Sequence, residues 1–155
     1  YKKIVIKPIH GYAGKGILFL NNAFKKKEIS KLLHKNGHAM VQKFLPSVKK
    51  GDKRVFIING KVCGAIRRIP SKNSILSNIS QGGTAVKTTL NSKQNKISSI
   101  IAKDLLKNKI YFAGIDFVSN YLIGDINVTS PTGLPQYKEL TGINLGETFW
   151  DSLEN

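Results

Sequence analysis

The chain has 155 residues, one cysteine, and a net charge of +16 from 25 basic and nine acidic side chains. That length admits one domain with a real core, or part of a larger protein, and the lone Cys63 excludes a disulfide scaffold and fits a reducing cytoplasm. No apolar run approaches the ~18 residues of a membrane span, and no signal-peptide core is present, so no membrane partner is expected. The basicity invites a nucleic-acid reading, which the residues disfavour. Arg54, Arg67 and Arg68 are the only arginines, and the lysines lie scattered in short runs such as Lys25-Lys26-Lys27. Base-reading surfaces use arginine forks and interleaved aromatics, and neither pattern is present. A field of this sign welcomes a phosphate-bearing ligand as readily as DNA. The sequence begins at Tyr1, directly in a strand pattern, which leads us to expect a piece of a longer protein.

Taken in chain order, Lys3 to Lys7 reads as a strand stopped by Pro8. A glycine-rich loop follows, His10-Gly11-Tyr12-Ala13-Gly14-Lys15-Gly16, and passes at once into a second strand, Ile17 to Leu20. This strand-loop-strand frame differs from the strand-loop-helix frame of dinucleotide and P-loop sites. Gly11, Gly14 and Gly16 let backbone N–H groups approach phosphate oxygens, with Lys7 just before the loop and Lys15 at its tip. Glu28 to Asn36 has helical spacing (Ile29, Leu32, Leu33) and ends at Gly37. Ala39 to Leu45 predicts a strand closed by Pro46. Its end, Gln42-Lys43-Phe44-Leu45, fits a backbone edge for an adenine ring and fits a plain core strand equally well.

Gly51-Asp52 turns into a strand from Lys53 to Asn59, Asn59-Gly60 signals a hairpin, and the return strand runs from Lys61 to Ile69. Arg54 and Arg68 lie on the two strands of this hairpin. With few acids available for surface salt bridges, an anionic ligand gripped by their guanidinium forks is the better reading. Residues 71–84, with Ser, Asn and the pair Gly82-Gly83, read as a flexible loop. Ser92 to Asn108 carries a helical apolar face of Ile97, Ile100, Ile101, Leu105 and Leu106. Two strand-like runs and an amphipathic segment from Leu145 to Leu153 complete the chain. No repeat or linker interrupts it, so the expected fold is a single α+β domain of antiparallel strands over residues 1–155.

Two of the nine acids sit inside those last apolar runs, in Gly114-Ile115-Asp116-Phe117-Val118 and in Asp125-Ile126-Asn127-Val128. Strand side chains alternate, so Asp125 and Asn127 share a face, and a tight turn would return Asp116 beside them. Three oxygen donors on one face suit a hard cation such as Mg²⁺. The alternative is two strand-end aspartates that cap turns. Together with the glycine loop, the cluster points to a nucleotide, whose phosphates need both an amide cradle and a divalent ion. The three histidines lack a zinc partner, Cys63 reads as a core residue, and no Ser-His-Asp arrangement is apparent.

Several motifs then occur in an order that resembles prokaryotic glutathione synthetase, a family of the ATP-grasp superfamily. They are Val5-Ile6-Lys7-Pro8, the glycine loop, Gln42-Lys43-Phe44-Leu45-Pro46, Gly51-Asp52-Lys53-Arg54, Arg68-Ile69-Pro70, Asn78 with Gly82-Gly83, Gly114-Ile115-Asp116, and Asp125-Ile126-Asn127-Val128-Thr129-Ser130-Pro131-Thr132. The resemblance spans essentially the whole chain. It implies the ATP-grasp fold and an ATP-dependent carboxylate-amine ligase that joins γ-glutamylcysteine to glycine through an acyl phosphate, giving glutathione. By the same resemblance, Lys7, Gly11, Gly14, Gly16, Gln42, Lys43, Phe44 and Leu45 hold ATP. Asp116, Asp125 and Asn127 hold Mg²⁺, or Mn²⁺ in its place. Arg54 and Arg68 are catalytic and, with Asn78, Gly82, Gly83, Thr129 and Ser130, contact the peptide substrate. The resemblance further implies that an N-terminal half is missing and the isolated chain inactive. A cytoplasmic homo-oligomer is expected.

Two departures from the family stand out. Asp125 replaces a glutamate, and Leu76-Ser77-Asn78 stands where the family has Arg-Gly-Asn. Alternatives are a related ATP-grasp ligase with another acceptor, an inactive ATP-grasp remnant, and a basic nucleic-acid-binding module.

Overall fold

Alternating apolar side chains set the first sheet. In the computed structural model, residues 3–10, 15–21, 25–71, 79 and 82–154 are described, and the chain divides into two units, residues 1–46 and 47–155. The first unit holds β1 (Lys3–Pro8), β2 (Leu18–Asn21), α1 (Lys26–Asn36) and β3 (Ala39–Lys43). Its strands are antiparallel in the order β2-β1-β3, with Val5 opposite both Phe19 and Gln42. Ile6, Leu20 and Leu32 form its buried core, with Ile4, Leu18, Ile29 and Ala39 packed around them, so α1 covers one face of this sheet. The helix stops where expected: Gly37 takes a φ of 72°, and its N–H donates to the Leu33 carbonyl.

A 3₁₀ turn over Pro46–Lys50 leads into the second unit, which continues through β4 (Asp52–Ile58), β5 (Lys61–Ile69), β6 (Thr84–Lys87), α2 (Ser92–Lys107), β7 (Phe112–Phe117), β8 (Ile123–Asn127), α3 (Leu134–Thr141) and α4 (Leu145–Glu154). The strands form an antiparallel sheet in the order β6-β5-β4-β7-β8. Because β4 is central and covered on both faces, it reads Val55-Phe56-Ile57-Ile58 without a break, all buried. Val55 and Ile57 join Ala65, Ala113, Ile115 and Phe117 on the face packed by Ile97, Ile101, Ala102 and Leu105 of α2. Phe56, Ile58 and Ile66 pack on the other face against Tyr137 of α3 and Leu145 of α4. The Asn59-Gly60 signal holds, since both residues have positive φ (44° and 74°), as a two-residue β-hairpin turn requires.

Three elements escape a sequence reading. Strand β6 is only four residues long, too short for an alternating pattern, and owes its conformation to pairing with β5 from Ile66–Lys87 to Ile69–Thr84. Helix α3 is eight residues, framed by Gly133 and Gly142 with Pro135 in its first turn; its punctuation was present but its apolar face is too short to show a period. The 3₁₀ turn at Pro46–Lys50 has no sequence signature of its own. Strand β3 ends at Lys43, two residues before the expected Leu45. Most of the expected 71–84 loop (72–78 and 80–81) lies outside the described residues, and Thr84 already belongs to β6.

Gly51 enters β4 with a φ of +87°, and a Cβ there would stand 2.1 Å from the Arg68 carbonyl oxygen. Gly142 has a similar φ of +78° with nothing within 4 Å of the same position. In chemical denaturation, Gly142→Ala is expected to lose only the roughly 1–2 kcal/mol of a left-handed alanine. Gly51→Ala adds a backbone clash and is expected to lose more, at least about 3 kcal/mol. Equal losses at the two positions would show that the Arg68 backbone gives way freely.

Candidate active site

The register of the five-stranded sheet gathers the charged residues. Asp52 pairs with Arg68, Arg54 with Asp116, Asp116 with Asp125, and Gly114 with Asn127. Directly opposed residues share a face, and alternate residues return to it. Asp52, Arg54, Arg68, Asp116, Asp125 and Asn127 therefore occupy one face, continuing the row that Phe56 and Ile58 begin on β4.

Four of these six are buried, with Arg54 3%, Arg68 2%, Asp116 7% and Asp52 8% exposed. Arg54 donates from Nε to Oδ1 of Asp116, and from Nη2 to Oδ2 at 2.9 Å. Arg68 donates from Nε and Nη2 to the two oxygens of Asp52, at 2.7 and 2.9 Å. Its Nη2 also lies 2.7 Å from Oδ2 of Asp116. Both arginines thus use their side-on fork, the geometry that makes guanidinium–carboxylate pairs strong. Arg54 lies flat across β7 because Gly114 has no side chain; a Cβ there would meet its Cδ at 2.9 Å and Pro131 at 3.0 Å. The Thr132 carbonyl accepts from Arg54 Nη1 at 3.2 Å, so the segment after β8 folds back over the guanidinium.

Burial alone would raise the Asp116 pKa, but the charges and hydrogen bonds of Arg54 and Arg68 outweigh it and hold the carboxyl below its ordinary value. Burial alone would lower the Arg68 pKa, and Asp116 with Asp52 reverses that and raises it. One donor is left over. Arg68 Nη1 is buried and has no hydrogen-bond partner among the described residues.

Asp125 is exposed, with no ion-pair or hydrogen-bond partner among the described residues. Asn127 Oδ1 accepts from the backbone N–H groups of Thr129 and Ser130, both at 3.1 Å. The donor set therefore fits a hard divalent cation: two carboxylates and an amide oxygen on one face, all oxygen. Binding there would require Asp116 to share oxygens now taken by guanidinium groups, and Asn127 to share the oxygen that caps the Thr129-Ser130 turn. The expectation that few acids are available to pair with Arg54 and Arg68 is corrected. Asp52 and Asp116 are those partners.

The other expected site residues are distributed as follows. In the first unit, Lys7 pairs with Met40, and Gln42 and Phe19 both pair with Val5, so Lys7, Gln42, Phe19 and Met40 share the sheet face away from α1. Phe44 packs edge-on against Phe19 with ring centroids 6.0 Å apart. Lys43 falls on the opposite face from Gln42, and Leu45 follows the strand. Strand β3 is the edge of its sheet, leaving one backbone side outside the ladder. Gly16 forms the turn before β2 with a φ of 75°, while Gly82 and Gly83 immediately precede β6. Gly11, Gly14 and Asn78 lie outside the described residues.

Two residues of the site were given no role there by the sequence, Asp52 being read only as part of a turn and a motif. Asp52 stands two positions before Arg54, an alternation that would have revealed it. Gln94, 1% exposed, sits in the capping box of α2 with Asn91. It accepts from Lys53 Nζ at 3.1 Å and donates to the Ser119 carbonyl at 3.2 Å, tying the β7–β8 turn to α2 and β4. The Lys53 amine has its pKa lowered by burial and by the neighbouring Arg67 charge.

Because the folded pKa of Asp116 is depressed, its ionisation stabilises the fold above the ordinary carboxylate range near pH ~4, and that contribution disappears as pH falls through the folded value. Asp116→Asn is therefore expected to lose about 3–5 kcal/mol at pH 7 by leaving buried guanidinium charge uncompensated. In urea titrations the gap from the unsubstituted protein should narrow below pH ~4. A gap that stays constant into acid would refute the ion-pair account.

Comparison with known proteins bears on this arrangement. The sequence profile of the family described as "Prokaryotic glutathione synthetase, ATP-grasp domain" matches residues 1–142. The glutathione synthetase of Synechocystis sp. is 42% identical over 147 residues, covering 92% of this chain and 45% of that protein. That of Mesorhizobium japonicum is 36% identical over 156 residues, covering 97% and 49%. The chain thus spans about half the length of the curated relatives it matches. Among solved structures, the ATP-grasp ligase PsnB, complexed with a precursor variant, Mg and ADP, superposes with a TM-score of 0.62 at 15% identity, over 97% of this chain and 45% of that one. D-alanine–D-alanine ligase from Bacillus anthracis, complexed with ATP, gives 0.61 at 17% identity over 98% and 53%. At such identities the likeness is one of fold.

Proposed function

Because this chain belongs to the prokaryotic glutathione synthetase family of ATP-grasp domains, we propose that it supplies the nucleotide- and metal-binding residues for ADP-forming ligation of γ-glutamylcysteine to glycine. Residues 1–155 are read as one ATP-grasp domain of a cytoplasmic homo-oligomer, acting on small molecules rather than nucleic acid or membrane. The observation that carries the reading is the opposed pair Asp116–Asp125 with Asn127 on the same face, bordered by two buried arginines.

In the proposed reaction a carboxylate oxygen of γ-glutamylcysteine bonds to the γ-phosphorus of ATP as the bond to the β-phosphate oxygen breaks, releasing ADP. The glycine nitrogen then bonds to the acyl carbon, the carbon–oxygen bond to phosphate breaks, and the nitrogen loses a proton. Both steps concentrate negative charge on phosphoryl oxygens, so catalysis consists mainly of positioning and electrostatics. Arg54 and Arg68 neutralise that charge and orient the carboxylate. Lys7 meets the ATP phosphates with Gly11, Gly14 and Gly16, while Gln42, Lys43, Phe44 and Leu45 border the base. Asn78, Gly82, Gly83, Thr129 and Ser130 contact the peptide. Asp116, Asp125 and Asn127 would hold Mg²⁺ or Mn²⁺, which when bound neutralises and orients phosphate oxygens. No protein nucleophile is required, in keeping with a site built from acids, amides and guanidinium groups.

A second reading, an ATP-grasp domain that no longer turns over, is favoured by Asp125, one methylene shorter than the glutamate that the resemblance leads one to expect. Lengthening it discriminates between the two. Under the ligase reading, Asp125→Glu preserves or strengthens Mn²⁺-dependent ATP binding.

Calorimetry with Mn²⁺·ATP and with adenosine tests the assignment. Asp125→Asn is expected to weaken Mn²⁺·ATP by about tenfold or more, the weight of one charge-assisted contact, and to leave adenosine unchanged. Lys7→Gln should likewise weaken ATP far more than adenosine, since the lost contact is with phosphate. Parallel loss of both ligands would assign these residues to the fold rather than to the ligand.

A further inference from the structure

Arg54 and Arg68 are not equivalent, and the difference lies in Asp52. Asp116 is shared, with its two oxygens receiving three donors from both arginines. A cation on Asp116 competes for those oxygens. Among the described residues, Arg54 would then keep only the Thr132 carbonyl, at 3.2 Å, as an acceptor. Arg68 would keep both bonds to Asp52, at 2.7 and 2.9 Å, on a buried carboxylate directly opposite it in the ladder. The backbone reinforces this anchor, since Gly51 packs directly against the Arg68 carbonyl and leaves no room for a side chain.

Arg68 Nη1 completes the argument. It is buried and has no acceptor among the described residues, an unfavourable state for a donor removed from water. A guanidinium fixed through Nε and Nη2 cannot turn to relieve that loss without breaking the Asp52 fork. It is a preorganised donor with one nitrogen unspent, the arrangement that stabilises charge without reorganisation when an anionic oxygen arrives.

We infer that Asp52 is a positioning residue for the reaction: it holds Arg68 so that Nη1 is presented to the terminal phosphoryl group of ATP, independently of whether Asp116 is engaged by a metal ion. The inference rests on the ligase reading above and adds to it a residue that contacts neither substrate nor metal.

The test is a double-mutant cycle read by calorimetric affinity of the chain for Mg²⁺·ATP and Mg²⁺·ADP. Asp52→Asn is expected to weaken Mg²⁺·ATP about tenfold, the weight of one charge-assisted hydrogen bond, and Mg²⁺·ADP by less than about twofold. In an Arg68→Gln background, the same Asp52→Asn change is expected to alter neither ligand by more than about twofold, because the residue acts through Arg68. Asp52→Glu keeps the charge and displaces the carboxylate by one methylene. Should Asp52→Asn fail to fold, as circular dichroism would show, Asp52→Glu carries the comparison, with an intermediate loss confined to ATP. Equal losses for ATP and ADP, equal losses in both backgrounds, or no loss for any Asp52 variant would overturn the assignment while leaving the ligase reading intact. Failure of the unsubstituted chain to bind either nucleotide would overturn both.

Discussion

A buried row of alternating charge, Asp52–Arg68–Asp116–Arg54, organises the second unit. Its members neutralise one another within a chain carrying +16 overall, and they do so where water is largely excluded. Desolvating four charges costs several kcal/mol each, so the row persists only because each guanidinium meets its carboxylate side-on and Asp116 is held from two sides. Such a row is weak as a source of net stability and strong as a constraint. An apolar replacement of the whole row is tolerable in principle, whereas loss of one member strands the others.

The constraint acts through strand register. A one-residue slip of β7 against β4 would send Asp116 to the α2 face, among Val55 and Ile57, turn Ile115 out of that core, and leave Arg54 unpaired. The apolar cluster under α3 and α4 and the charged row lie on the same face of the sheet, one following the other along β4. Phe56, Ile58 and Ile66 hold the sheet against the helices, and the row begins where that cover ends. Gly114 belongs to the same design, because the absence of its side chain lets the Arg54 stem cross β7 beneath Pro131 and Thr132.

The opposite face contributes at the edge of the site. Lys53, one residue from Arg54 and therefore on the other side of β4, reaches the Thr89 carbonyl and Gln94. Gln94 passes the connection to Ser119 in the β7–β8 turn while closing the capping box at the start of α2. The turn that sets Asp125 beside Asp116 is thus tied to helix and strand by a buried amide whose polar atoms are engaged. That suits a site whose proposed chemistry depends on the placement of oxygens rather than on a reactive side chain.

Much of this was legible in the residues. The Asn59-Gly60 hairpin, the helix ending at Gly37 and the pairing of the two acid-bearing strands follow from local sterics and period, as does the α2 face at Ile97, Ile101 and Leu105, although Ile100 and Leu106, expected on that face, are exposed. The shared face of Asp116, Asp125 and Asn127 likewise needed only alternation and a turn. Partnership was decided by tertiary structure. Composition suggested that Arg54 and Arg68 lacked acids, yet a count over the chain says nothing about which two acids the register brings to them, and Asp52 and Asp116 were enough. The four residues of β6 and the eight of α3 are too short to bear a period and take their conformation from β5 and from the core beneath Tyr137. Local pattern fixed which face each side chain occupies; only the packed sheet determined what each one meets there, because long-range pairing depends on register across segments far apart in the chain.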